Sequence, residues 1–343
     1  MQIDDYIRHQ RLTKHFIAAS LSLLIILTLS SMFVGQYGMS FWDTLACLIG
    51  KADEIQLENI QNIIINIRIP RTVAAIVIGG VLAIAGLTYQ CVFRNTLVSQ
   101  DILGISTSAC VGAAIGIVME LSTIHIQVLA FSLGVVNILL IFLLSSRIKL
   151  EKTLSLILSG ILIGGAMSSI LALIKYLANP EVHLQAIVFW TMGDISSISL
   201  KQLALIALPL TMGTVIIFTQ RWTLNYFCFS DHEAKSMGVN IGRKRILLLA
   251  SATVLVASAV SVSGSIGWIG LVIPQLVRIM IGTDNRFTVS LSFLMGSSYL
   301  LLVDLINRLI TAAELPVNII SGLLGLPLFI VCWFINVKRR GLE

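Results

Sequence analysis

Long apolar runs alternate with short polar gaps along nearly the whole chain, and most runs are long enough to cross the hydrocarbon layer of a bilayer. Runs at about 15–34, 73–93, 105–119, 128–144, 154–177, 200–219, 246–262, 269–281, 289–308 and 317–335 predict ten membrane-spanning helices. The eighth run is short, and is expected to continue past Gly282 or to bend at Pro274. Residues 35–66 are more polar, with Asp43, Lys51, Asp53, Glu54 and Glu58, and read as an external segment with short amphipathic helices at the interface. Glycines recur within the runs (Gly79, Gly80, Gly86; Gly160, Gly164, Gly165; Gly322, Gly325), so close helix packing is expected.

The longest charged gap in the second half is 221–245. Water must reach Asp231, Glu233, Lys235 and the Arg243–Arg245 cluster, so this stretch lies outside the lipid. It has a helical pattern of its own, with Asp231 as N-cap of a short helix over 232–237 and Gly238 as its stop. Bare connections between bundled helices are usually much shorter, which makes it a compact protrusion suited to a protein pocket.

A mean hydropathy of +0.94 and only 12% charged residues, against about 25% in a soluble domain, make the chain an all-α polytopic membrane protein. Ten spans fill 343 residues, so 1–343 reads as a single transmembrane domain. The net charge of +6 sits in the gaps and reports orientation rather than nucleic acid. With a cytoplasmic N-terminus, seventeen of the 23 basic residues fall inside; Lys51, Arg68, Arg71, Lys175, Lys201 and Arg308 fall outside. Both termini and the 221–245 protrusion are then cytoplasmic. The first run follows Arg8, Arg11 and Lys14 like a signal peptide, but is too long and lacks a cleavage site. Arg68-Ile-Pro-Arg71 and Arg243-Lys-Arg245 each lead into four spans, suggesting inverted repeats over 68–177 and 243–336.

No phosphate-binding loop, metalloprotease motif, nucleophile elbow or paired-carboxylate site occurs, so neither ATP hydrolysis nor an intramembrane enzyme fits. The five cysteines lack ligand spacing, and no cofactor or metal is expected. Asp304 and Arg308 can pair at i,i+4 near the outer end of the ninth run. No chain of acidic residues or histidines runs through the spans to relay protons, so the energy source lies outside this chain. An ATPase-independent secondary carrier or channel is the competing class.

Several stretches together resemble the FecCD family, the permease subunits of ATP-binding cassette importers for ferric siderophores, haem and vitamin B12. Arg68-Ile-Pro-Arg71-Thr72 is similar to the family's RLPRT, 93–97 to FRNPL, 103–106 to LGVS, 231–239 to D-x-x-A-[RK]-S-L-G-V, 266–274 to IGFVGLVVP and 313–316 to AELP. The resemblance implies ten spans and a complex of two permeases, either two copies or this chain with a homologous one. It further implies two ATP-binding cassette ATPase subunits and an extracytoplasmic substrate-binding protein, in a cytoplasmic or inner membrane. By position it implies ATPase coupling through Asp231, Ala234, Lys235, Ser236, Met237, Gly238 and Val239. It implies docking of the binding protein on Arg68, Arg71 and Arg308, and a path between two permeases lined by Gly160, Gly164 and Gly165. The cargo would be an iron-siderophore or similar metal chelate. Thr96, Gln275, Asn285 and His232 depart from the family pattern.

Overall fold

The structure, a computed structural model, describes residues 3–35, 62–310 and 315–340. Among them all regular structure is helical. Helix α1 covers Ile3–Phe33, and α2 covers Ile69–Val92 behind a π-turn at Ile64–Arg68. Then come α3 (Ile105–Val118), α4 (Thr123–Arg147) and α5 (Lys152–Leu177). A second π-turn, Pro180–Leu184, opens into the short α6 (Gln185–Met192). Helix α7 (Leu200–Thr219) is followed by two short helices, α8 (Thr223–Tyr226) and α9 (Asp231–Ser236). Helices α10 (Ile241–Ser263), α11 (Ile269–Ile281), α12 (Asn285–Ile310) and α13 (Val317–Arg340) complete the chain.

All ten apolar runs are helices. Eight are long and apolar enough to span a membrane, and α3 and α11 are shorter. The structure bears on three local expectations. Helix α11 does not run on, because Gly282 takes a left-handed φ of 79° and stops it. Ser230 rather than Asp231 caps α9, since its hydroxyl accepts from Glu233 N while the Glu233 carboxylate accepts from Ser230 N. The external segment is helical from 62 onward and continues into α2; 36–61 lie outside the described residues. Helix α6 was not foreseen, its eight residues being too few to show a period.

Helices α2 and α10 form the buried centre, and α12 runs along α2. Small residues set these approaches: a Cβ on Gly79 would lie 2.3 Å from the Gly296 carbonyl oxygen, and one on Gly86 only 2.0 Å from that of Gly270. Pro274 cannot donate to the Gly270 carbonyl four residues back, and the Gln90 side chain does so instead, at 3.1 Å.

With 14 and 13 residues, α3 and α11 are about 20 Å long against a hydrocarbon core of about 30 Å, so neither is long enough to cross it alone. The segments leading into them, 93–104 and 264–268, meet, the Gln100 amide pointing to the Ile266 carbonyl at 3.5 Å. Helices α2 to α5 have 24, 14, 25 and 26 residues, and α10 to α13 have 23, 13, 26 and 24. The same order of long, short, long and long thus recurs in the two halves.

Candidate coupling and docking sites

The 221–245 protrusion is held at both ends. Leu224, Phe227 and Ala234 are fully buried beneath it. Arg94, at the end of α2 with a left-handed φ of 51°, donates to the Phe227 carbonyl at 2.6 Å and to that of Phe229, and lies 3.3 Å from Asp231. Arg245, in the first turns of α10, donates to both Asp231 oxygens, the shorter bond being 3.0 Å. On the other side Asn225 donates to Asp284 at 3.1 Å and accepts from Asn285 N at 2.9 Å, while the Arg286 guanidinium stacks 4.4 Å over Trp222. One short helix is therefore braced against the ends of α2 and α10, and the segment before it against the start of α12.

Burial works to raise the Asp231 pKa, but the Arg245 hydrogen bond and the charges of Arg245, Arg94 and Lys152 outweigh it and hold the carboxyl below its usual range. Glu233 is lowered by the backbone and hydroxyl of Ser230, the reciprocal half of the cap. Of the residues matched to the coupling motif, Lys235, Ser236 and Met237 are exposed, with Met237 at 52%. Ala234 faces inward, Val239 is half-buried against the core, and Gly238 supplies the left-handed stop at φ 81°. The first group is available to a partner; the second shapes the helix that carries it. A cavity of about 870 Å³ opens beside α9, between Asp231, His232, Lys235, Arg94 and the Glu151–Lys152 start of α5.

At the opposite end of α2 lie the three arginines matched to the docking positions. Arg68, Arg71 and Arg308 are only 3%, 4% and 6% exposed. Asp304, wholly buried, accepts from Arg71 Nε at 2.7 Å and from Arg308 Nη2 at 2.5 Å. Arg308 also donates to the Ser31 carbonyl at 3.0 Å, and Arg68 donates to that of Met32. A carboxylate in this position needs counter-charge, and the last carbonyls of α1 need donors. The arginines satisfy both, joining α1, α2 and α12. Of the AELP motif, Ala313 and Glu314 lie outside the described residues; the Leu315 carbonyl accepts from Asn307 at 2.7 Å.

The three α5 glycines divide. A Cβ on Gly160 would lie 2.7 Å from Leu103, and one on Gly164 would lie 3.1 Å from Gly104 Cα, whereas Gly165 has nothing within 4 Å. Gly160 and Gly164 are thus packing positions, and only Gly165 shares the open face of α5 with Ile161, Leu162 and Leu173. Two departures from the family pattern meet, Gln275 donating to the Thr96 carbonyl at 3.0 Å. No pattern in the linear sequence points to Asp101, which the 93–104 connection brings beside Gly267.

The chain is 32% identical over 322 residues to the molybdate import system permease protein of Haemophilus influenzae, covering 94% of this chain and 95% of that one. It is 38% identical over 286 residues to a Helicobacter pylori permease named for iron chelatin transport, covering 83% and 86%. A solved metal-chelate-type ABC transporter in an inward-facing conformation superposes with a TM-score of 0.85 at 31% identity, over 94% of this chain and 99% of that one. The model of the FecCD transport family matches residues 23–335, and with ten apolar helices and this degree of likeness the chain belongs to that family, as a membrane permease of the ABC importer type.

Proposed function

We propose that this chain is one of two permease halves that move a metal chelate inward by alternating access, driven by separate ATPase subunits docked on α9. The observation that carries this reading is the bracing of α9 by Arg245 and Arg94. A push on Lys235, Ser236 or Met237 is delivered through Asp231 to α10 and through Arg94 to α2, the two most central helices. The mainly exposed faces of α5 and α13 suit a second permease, either another copy or a homologue, with the path between them. The corresponding lengths of α2–α5 and α10–α13 support the inverted repeats. The excess of basic residues in the gaps on one side supports cytoplasmic termini.

On the outer face, an extracytoplasmic binding protein meets helix ends that Arg68, Arg71 and Arg308 hold in register. Direct pairing of its acidic groups with these arginines requires exchange of the Asp304 contacts. The metal-chelate class for the cargo is supported by the relative named for iron chelatin and by the metal-chelate-type solved structure. The test is to purify the tagged chain from its host membranes and measure bound ATPase, ATP hydrolysis, and uptake of radioiron chelates against radiolabelled molybdate. A chain that purifies without ATPase, yet still supports uptake, would overturn the reading.

A further inference from the structure

Where the two re-entrant segments meet, they leave a cavity of about 290 Å³ lined by Ser99, Asp101, Ser265, Gly267, Trp268 and Asn318, with Leu271 at its edge. Asp101 is exposed to this space, and no lysine, arginine or histidine pairs with it among the described residues. The Ser106 hydroxyl approaches it without forming a regular hydrogen bond. The Asn318 amide oxygen accepts from Gly267 N at 2.9 Å. Trp268 is held at a left-handed φ of 70°, and a Cβ on Gly322 or Gly325 would lie 3.3 or 3.0 Å from its indole ring, so the small residues of α13 give that ring its place.

An acidic side chain at membrane depth is costly, and irregular backbone at that depth is tolerated where it is buried or lines a watered space. Asp101 has both features: it sits on non-helical backbone, and its carboxylate faces a cavity. The lining offers a negative charge, hydroxyl oxygens and an aromatic ring, which suits hydrogen-bond donors and cations. An oxyanion would meet like charge.

We propose that this niche is a mid-membrane station on the cargo's route that accepts cationic or hydrogen-bond-donating groups of a chelate and disfavours oxyanions, with Asp101 setting the preference. That a chelate is what passes rests on the importer reading; the charge preference of the niche does not.

The test uses the full chain in membranes with Ser265→Cys as reporter. It is treated with trimethylammonium-bearing and sulfonate-bearing methanethiosulfonates of similar size, and modification at position 265 is quantified by mass spectrometry so that the natural cysteines do not interfere. Relative to a free thiol in solution, the cationic reagent is expected to react about tenfold faster than the anionic one, the effect of one nearby charge at intermediate dielectric. Asp101→Asn should bring the ratio close to one, and Asp101→Glu should keep it, with both variants monodisperse in detergent. Failure of the cationic reagent to reach position 265, or an unchanged ratio in Asp101→Asn, would overturn the proposal. Absence of a bound ATPase would remove the importer reading and leave this ratio untouched.

Discussion

Asp231 and Arg245 are fourteen residues apart in the chain, and their carboxylate and guanidinium lie 3.0 Å apart in the fold. The pair fixes the angle at which α9 leaves the body of the protein, because Arg245 is anchored in α10 and only 3% exposed. A peripheral contact thereby becomes a connection to the central helices.

The pair makes a pH prediction. The Asp231 side chain is 39% exposed, so screening limits its contribution to about 1 kcal/mol. Its pKa is lowered in the folded state, so the contribution is complete above the unfolded value near 4 and is lost as pH falls through the folded value. In detergent, the thermal midpoint of Asp231→Asn should lie below that of the parent by a constant gap from pH 8 to pH 5. The gap should close only below about pH 4. A gap that closes between pH 7 and pH 5 would assign the effect to another group.

Met237→Asp should leave the chain folded and inserted, because the side chain is more than half exposed, while ATPase association and uptake fall. Ala234→Leu should instead disturb the fold, since Ala234 has no exposure at all. Co-purified ATPase, measured against the amount of monodisperse permease, separates the two. Undiminished association of Met237→Asp would place the ATPase contact elsewhere.

Asp304→Ala removes the carboxylate shared by Arg71 and Arg308 and should cost about 3–5 kcal/mol, the penalty for deleting one member of a buried ion cluster. Little monodisperse protein is expected in fluorescence-detected size exclusion. Adding Arg71→Met and Arg308→Met to Asp304→Leu should recover much of it, as apolar packing can replace a buried ion cluster. Normal yield of Asp304→Ala would show that the arginines do not need this partner.

Gly164→Ala should lower the thermal midpoint, its new methyl group meeting Gly104 Cα at 3.1 Å, and Gly104→Ala should do so more strongly because φ there is 69°. Gly165→Ala, with open space around it, should be neutral to stability. Overpacking costs of about 1–3 kcal/mol are readily detected in a melting series on the three variants. Equal behaviour of Gly164→Ala and Gly165→Ala would contradict the packing described.

The linear sequence located ten apolar runs that are helices among the described residues, and most of their limits, because bilayer thickness imposes a length and backbone polar groups in lipid must be satisfied within the helix. It also determined that 221–245 stands outside the lipid, because its charges cannot be solvated within it. The short motifs it carries were enough to indicate the family, although they did not assign every side chain to a face.

Tertiary structure decided the rest. Arg71 meets Asp304 across 233 residues of chain, a distance at which no periodicity operates, so Arg71 and Arg308, which looked like surface charges, are buried and share the Asp304 carboxylate. Gly164 and Gly165 are neighbours in sequence, yet one faces a backbone and the other open space, since successive helix residues point about 100° apart and only packing says which way is inward. Asp101 lies in what the sequence presents as a cytoplasmic connection. Its place beside Gly267 and Asn318 depends on the connections leading into the short α3 and α11 meeting each other, which no periodicity in the sequence records.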